Sequence, residues 1–176
     1  FHMINNAIYK SNLFLMSGTV SRAAGSDEIE QMGGLARPLP VTFICGAIAA
    51  AAISGVPPFN GFWSKLTIYF AAAEARLWWA FGIALATSLL TLIAFVRAGF
   101  RVFWSEGDYP EPEPARENGE QQALSDAAKD PLEGDAPVAM LIPMVVLAVL
   151  CVVIGVFPNL AYPIIDPAAR ALAAIF

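Results

Sequence analysis

The stretch from Ile53 to Leu66, with the sequence ISGVPPFNGFWSKL, constrains the fold of this chain more than any other. It places two prolines, two glycines and a lysine inside an apolar tract, residues 39–73, that carries no other charge. In hydrocarbon, an interrupted backbone and a buried ammonium group each cost several kcal/mol unless protein or water satisfies them. The stretch is therefore a candidate functional site.

The composition favours a membrane as the solvent. Of 176 residues, 57% are hydrophobic, the mean hydropathy is +0.60, and the apolar residues are gathered into a few long blocks, which is typical of a polytopic all-α membrane protein. The net charge of -5 belongs mainly to one segment, because ten of the fifteen acidic residues lie between Glu106 and Asp135. Cys45 and Cys151 fall in different apolar blocks, and we interpret them as packing groups rather than a disulfide.

The apolar tract around the prolines predicts one crossing built from two half-helices, 39–53 and 59–73. Each half is roughly 22 Å long, too short to cross a bilayer core of about 30 Å. Because the prolines lack N–H groups, we expect free carbonyls near 52–54 at mid-depth. A re-entrant hairpin is the alternative. The residues that interrupt the helix, within 54–61, are Ser54, Gly55, Pro57, Pro58 and Gly61.

Three further crossings are predicted, which makes four in all. They cover 1–20, 78–104, which has tryptophans at both ends, and 137–157. A surface amphipathic helix is the alternative for 1–20. Residues 21–38 have the composition of a loop, in which Ser26 could cap a short helical turn.

The chain accordingly divides into three parts. Residues 1–104 hold transmembrane helices, 105–136 form an acidic, proline-rich loop, and 137–176 form the final transmembrane helix and an interfacial tail. The positive-inside rule places the loop in the cytoplasm. With four crossings, the arginines on the cytoplasmic side are Arg22, Arg37, Arg97 and Arg101, and those on the other side are Arg76 and Arg170.

Ionisable residues inside predicted crossings are candidate functional groups. Two of the three lysines, Lys10 and Lys65, lie there, and His2, Asn6 and Lys10 follow one another at intervals of four, on one helix face. Desolvation makes a lysine easier to deprotonate, and histidine titrates near neutrality. The set predicts a proton relay. Alternatively, Lys65 pairs with a carboxylate on another helix and His2 is a satisfied core donor, while the amide of Asn6 suits an interhelical hydrogen bond.

Other chemistries fit poorly. The sequence has no glycine-rich phosphate loop, no cysteine and histidine set at metal spacing, and one histidine only, which leaves no hydrolytic triad. We expect no catalytic residue, cofactor, metal or nucleic-acid partner. The chain begins inside an apolar, helix-like pattern without the charged region of a signal peptide, so we also expect a piece of a longer protein.

Three motifs carry a family resemblance. They are HMINNAIYKSNLFLMSG over 2–18, MGGL over 32–35 and SGVPPFNGFWSK over 54–65. In order and spacing they resemble the antiporter-like membrane subunits shared by respiratory complex I and the multisubunit Mrp-type sodium/proton antiporters. The sequence FVRAGFRVFW over 95–104 most resembles the D-type subunits of the Mrp group.

The resemblance implies about fourteen transmembrane helices in two inverted repeats, each with a broken helix. This chain resembles the last four helices, including the second broken one. Lys65 then matches the terminal proton-carrying lysine of that helix, and His2 and Lys10 match the relay on the preceding helix. Asn6 stands where many members have a second histidine. The family's glutamate and lysine pair on earlier helices is absent, so this chain alone is not expected to transport.

The function implied is proton translocation within a sodium/proton antiporter in the plasma membrane. Its expected partners are the other membrane subunits, protons, sodium ions and lipid. One alternative is a proton-pumping component of NADH-quinone oxidoreductase, complex I. A second alternative is a purely structural membrane component. The two lysines inside predicted crossings argue against it.

Overall fold

The structure is a computed structural model, and it describes residues 1–105 and 135–160. Within these ranges the chain is helical, without strands. The predictions made for 106–134 of the acidic loop and for 161–176 of the tail lie outside the described residues. The described helices are α1 (His2–Ala24), α2 (Pro40–Ser54), α3 (Asn60–Glu74), α4 (Trp78–Trp104) and α5 (Val138–Val156).

The helix ends follow local chemistry. The prediction that a loop starts at Ser21 is wrong, because α1 continues to Ala24. Gly25 ends it in the left-handed conformation, with φ of 67°, and donates its N–H to the carbonyl of Ser21 at 2.9 Å. Arg22 in the last turn is favourable at the negative end of the helix dipole. The predicted turn after Ser26 is present as a 3-10 helix at Ile29–Gln31, and the N–H of Glu28 donates to the hydroxyl of Ser26.

The contacts of α1 show in which direction α2 and α3 run. Along α1, His2 lies beside Ser64 of α3, and Asn12 lies beside Cys45 of α2. Val20 then packs with Leu39, just before α2. The residue numbers of the partners therefore decrease as those of α1 increase, so α1 is antiparallel to both halves. In a hairpin the partners would reverse direction at the prolines, so the hairpin alternative is wrong and the two halves form one interrupted helix.

α4 and α5 complete the bundle around this interrupted helix. α4 is antiparallel to it, since Phe81 contacts Tyr69 with ring centroids 5.7 Å apart and Phe103 contacts Phe43 at 4.9 Å. α5 lies parallel to α2 and α3 and shares a buried cluster with α1 and α2. That cluster contains Tyr9, Ala49, Ala52 and Cys151. Both cysteines are free and buried, as predicted.

Asp135 fastens the start of α5 to the start of α2. The N-cap position of α2 is Leu39, which provides no capping side chain. One carboxylate oxygen of Asp135 accepts the N–H of Val41 at 2.7 Å and that of Thr42 at 3.3 Å. The other accepts the hydroxyl of Thr42 at 2.6 Å. A side chain from a distant part of the chain therefore performs the capping role.

The helix surfaces fit a membrane environment. α4 and α5 are each long and apolar enough to cross one by length and composition. Trp78 and Trp104, at the two ends of α4, are 65% and 55% exposed, as expected for rings at the headgroup level. Arg22, Arg37 and Arg101 share one end of the bundle and Arg76 lies at the other, as the orientation argument expects.

Candidate functional site

The interruption between α2 and α3 begins with a hydrogen-bonded cap at the carboxyl end of α2. Gly55 is left-handed, with φ of 82°, and it donates its N–H to the carbonyl of Ala52 at 3.0 Å, while Val56 donates to that of Ala51 at 3.0 Å. This pair of bonds is the Schellman motif. The expectation that the carbonyls near 52–54 are free is therefore wrong for Ala52, because the chain closes on itself.

The side chain of Lys65 donates a hydrogen bond to the carbonyl of Ser54. Its Nζ atom donates to that oxygen at 3.3 Å and to the hydroxyl of Ser88 at 2.9 Å. An ammonium at the carboxyl end of α2 is favoured by the helix dipole. No carboxylate pairs with Lys65 among residues 1–105 and 135–160. Its charge is held by a carbonyl and a hydroxyl.

The hydroxyl of Ser88 joins Lys65 to a second hydroxyl. It lies 2.7 Å from that of Tyr69, and both also reach the carbonyl of Ala84, at 3.1 Å from Ser88 and 3.4 Å from Tyr69. Since Tyr69 is four residues beyond Lys65, the two side chains share a face of α3. Lys65, Ser88 and Tyr69 thus form a continuous hydrogen-bonded line between α3 and α4.

α1 meets the first turns of α3 through polar groups. The Nδ1 atom of His2 lies 3.1 Å from the hydroxyl of Ser64, which donates to the carbonyl of Gly61 at 3.0 Å. One turn along α1, the fully buried Asn5 donates to the backbone carbonyl of Asn60 at 3.3 Å and accepts from the Asn60 side chain at 3.1 Å. The amide oxygen of Asn60 is buried and has no hydrogen-bond partner in the structure. It can accept one further donor.

The structure does not bring all four predicted relay residues together. His2 and Lys65 both contact the region of the interruption, through Ser64 and Ser54 respectively. Asn6 is half-buried and Lys10 is exposed on α1, and neither side chain forms a hydrogen bond with the described residues. The face shared by His2, Asn6 and Lys10 is present, but its far end has no partner within the described part of the chain.

Two glycines allow the interruption to pack closely. A Cβ atom on Gly61 would collide with the backbone of Ala52, and one on Gly155 would collide with the carbonyl of Pro58. The carbonyl of Gly155 accepts the indole N–H of Trp63 at 2.7 Å. Pro57 and Pro58 themselves are exposed. Close backbone contact with α2 and α5 therefore fixes where α3 begins.

A cavity of about 530 Å³ lies between α1, α2 and α4 and extends to Ser54. Its walls are mainly apolar, with Phe43, Phe95 and Phe103 among them. No group of three or more His, Cys, Asp or Glu side chains suited to a metal occurs in the parts of the chain that the structure describes.

Comparison with known proteins identifies the family. The family model described as "NADH:quinone oxidoreductase/Mrp antiporter, TM" matches residues 1–91, just over half of the chain. The chain belongs to this family. The matched region contains the interrupted helix, Lys65 and His2, so the geometry above describes a membrane segment of the NADH:quinone oxidoreductase/Mrp antiporter family.

Among curated proteins, the chain is similar to the A-type subunits of Na(+)/H(+) antiporters. It is 34% identical over 173 residues to that of Alkalihalophilus pseudofirmus and 32% identical over 181 residues to that of Bacillus subtilis. Each match covers 98% of this chain and 21% of the relative, so the chain spans about a fifth of their length. Because these relatives are of the A type, the resemblance to the D type is not confirmed.

The fold is similar to a solved structure. A chain in the structure of the Mrp complex from Dietzia sp. DQ12-45-1b superposes with a TM-score of 0.69 at 23% identity. The match covers 89% of this chain and 34% of that one. At this identity the likeness supports the fold alone, and it agrees with the predicted all-α fragment of an antiporter-like protein.

Sequence reasoning missed several side chains at the site of this family member. Ser88 and Tyr69 were not predicted, although a serine in the middle of an apolar crossing is itself a signal, and Tyr69 follows Lys65 by one helical turn. Ser64 and Asn60 lie in a quoted motif, but only the packing of α1 against α3 gives them partners.

Proposed function

We propose that this chain is part of a proton-translocating subunit of a multisubunit sodium/proton antiporter. The single observation that carries the proposal is Lys65, a lysine at a helix interruption held by the carbonyl of Ser54 and the hydroxyl of Ser88 without a carboxylate among the described residues. An ammonium held by neutral groups can lose its proton without leaving a partner charge unpaired. Such a group is suited to load and release protons.

Lys65 is the terminal station in this proposal, with His2, Asn6 and Lys10 as the route along α1. His2 supports the route through its contact with Ser64, the residue before Lys65. Asn6 does not titrate, so a proton passes it through water. The working protein lies in the plasma membrane as a multi-pass subunit beside other membrane subunits, and it exchanges protons for sodium ions across the lipid bilayer.

The comparisons favour one type of antiporter subunit. Similarity to the A type extends over 98% of the chain at 34% identity, whereas the resemblance to the D type rests on the ten residues 95–104. We therefore assign the chain to the A type. The antiporter names of these relatives likewise favour exchange over a complex I pump, although the family model covers both groups.

The test is sodium-dependent proton exchange in everted vesicles that contain the full-length protein in its complex. We compare Lys65→Ala with Lys65→Arg, because arginine keeps the positive charge but does not deprotonate in proteins. If Lys65 carries protons, both variants assemble and neither exchanges. Normal exchange by Lys65→Arg would assign the lysine a structural charge, and normal exchange by both variants would favour a purely structural role for the chain.

A further inference from the structure

The hydroxyl groups of Ser88 and Tyr69 continue the polar line beyond Lys65. The Nζ atom of Lys65 lies 2.9 Å from the Ser88 hydroxyl oxygen, which lies 2.7 Å from that of Tyr69. Both distances are within the range of direct hydrogen bonds. Each hydroxyl can accept one proton while donating another, whereas a carbonyl can only accept. The line therefore has the chemistry of a short proton path.

The line has a direction along the bundle. Tyr69 lies one turn beyond Lys65 in α3, about 6 Å along the helix axis. In the antiparallel α4, Ala84 lies one turn before Ser88, toward Trp78. Both steps lead to the end of the bundle where α3 ends and α4 begins, which is opposite to the end that carries Arg22 and Arg101.

The carbonyl of Ala84 serves both hydroxyls. It lies 3.1 Å from Ser88 and 3.4 Å from Tyr69, and either hydroxyl can be the donor in the bond between them. One hydroxyl can therefore donate to the other while the second donates to Ala84, or the reverse. After one proton has passed along the path, the hydroxyl groups must rotate back before the next proton can pass. Here each hydroxyl can turn without leaving a part-buried proton unsatisfied.

We propose that Ser88 and Tyr69 carry the proton between Lys65 and the side of the membrane at which α3 ends. The proposal rests on the proposed function of Lys65. In the forward step Lys65 gives a proton to the oxygen of Ser88, Ser88 gives its own to the oxygen of Tyr69, and Tyr69 gives its own to water. Lysine is left neutral and both hydroxyls stay neutral, so one positive charge has moved from Lys65 to water.

A simpler role would be to solvate the lysine. Ser88 alone meets that need, because it contacts the ammonium directly, whereas Tyr69 reaches Lys65 only through Ser88. Tyr69→Phe removes one hydroxyl and keeps the ring that packs on Phe81. The two roles therefore predict different results for this substitution.

The test uses the full-length protein in its antiporter complex, reconstituted in liposomes, with proton flux expressed per assembled complex. The variants are Tyr69→Phe, Ser88→Ala and Ser88→Thr, which keeps a hydroxyl. The matched control is Thr87→Val, because the hydroxyl of Thr87 donates only to the carbonyl of Ile83 within α4. Lys65→Arg is measured alongside, so that failure of the proposed function is recognised separately.

If the path is correct, Tyr69→Phe and Ser88→Ala each lower the flux at least about tenfold, Ser88→Thr lowers it less than Ser88→Ala, and Thr87→Val stays within about twofold of wild type. The double variant is no slower than either single one, since the line is already broken. Wild-type flux in Tyr69→Phe, together with an inactive Lys65→Arg, overturns the path but leaves the proposed function intact. An active Lys65→Arg refutes both.

Discussion

A Cβ atom on Gly55 would lie 2.9 Å from the Cδ atom of Lys65, so the glycine that ends α2 also leaves room for the lysine side chain. The two residues are ten positions apart and meet because α3 packs back against the end of α2. The interruption of the helix and the placement of the ammonium are therefore one feature of the structure. A change at either residue affects both.

Gly55→Ala is expected to destabilise the protein and to impair exchange. An alanine at φ of 82° is strained, at a cost of about 1–2 kcal/mol, and its methyl group would displace Lys65 from Ser54 and Ser88. The measurement is the apparent melting temperature of the complex in detergent, together with exchange. Gly82→Ala on α4 is the control, because nothing lies within 4 Å of its added Cβ. Equal behaviour of the two variants would contradict the assigned role of Gly55.

Gly61→Ala is expected to reduce assembly more than Gly99→Ala. The added Cβ at Gly61 meets the backbone of Ala52, which cannot turn aside as a side chain would, whereas at Gly99 it meets open space. Overpacking of this kind typically costs about 1–3 kcal/mol. The yield of intact complex on a native gel measures the effect. A Gly61→Ala complex as abundant as wild type would mean that α3 does not need this close approach.

Asp135→Ala is expected to lower the stability of the complex by about 1–2 kcal/mol, the usual effect of removing an N-cap. The substitution leaves the N–H groups of Val41 and Thr42 without their acceptor. Thermal denaturation in detergent measures the change. Asp27→Ala, at an exposed acidic residue on the same end of the bundle, serves as the control. If both variants melt alike, the contact between α5 and α2 contributes nothing to stability.

Lys10→Ala is expected to lower exchange more than about tenfold, and His2→Ala only about two- to fivefold, because water can bridge one missing group more easily than replace a lysine. Ser64 supports the milder effect of His2→Ala, since it keeps its bond to the carbonyl of Gly61. Exchange in vesicles with the full-length complex measures both. Wild-type exchange by both variants would remove α1 from the route.

Much of the fold follows from local sequence. The apolar blocks predicted α4 at its observed bounds and placed α2, α3 and α5 within one residue at each end, because crossing length and proline position depend on nearby residues. Ser21 and Arg22 were assigned to a loop because they are polar, but a polar residue can extend a helix where a cap such as Gly25 follows. Local polarity alone therefore did not distinguish a loop from the last turn of a helix.

The candidate site was only partly predictable. Lys65 was identifiable as a charge in an apolar tract, and the three motifs predicted its family, which the comparison confirms. The partners of Lys65 were not identifiable, because Ser88 is 23 residues away and resembles the other hydroxyl residues of α4. The free carbonyls were predicted from the missing proline N–H groups, and that prediction failed where Gly55 and Val56 closed the helix end.

The sequence by itself determined that this protein has membrane-embedded helices, one of them broken around two prolines and followed by a lysine. These properties depend on the hydrophobicity and backbone chemistry of neighbouring residues. Only the tertiary structure decided that the two halves run in one direction, that Asp135 caps α2, and that Lys65 bonds to Ser54 and Ser88. Those contacts depend on how helices pack around the interruption. Packing brings together residues that are far apart in sequence, and local patterns do not show which of them meet.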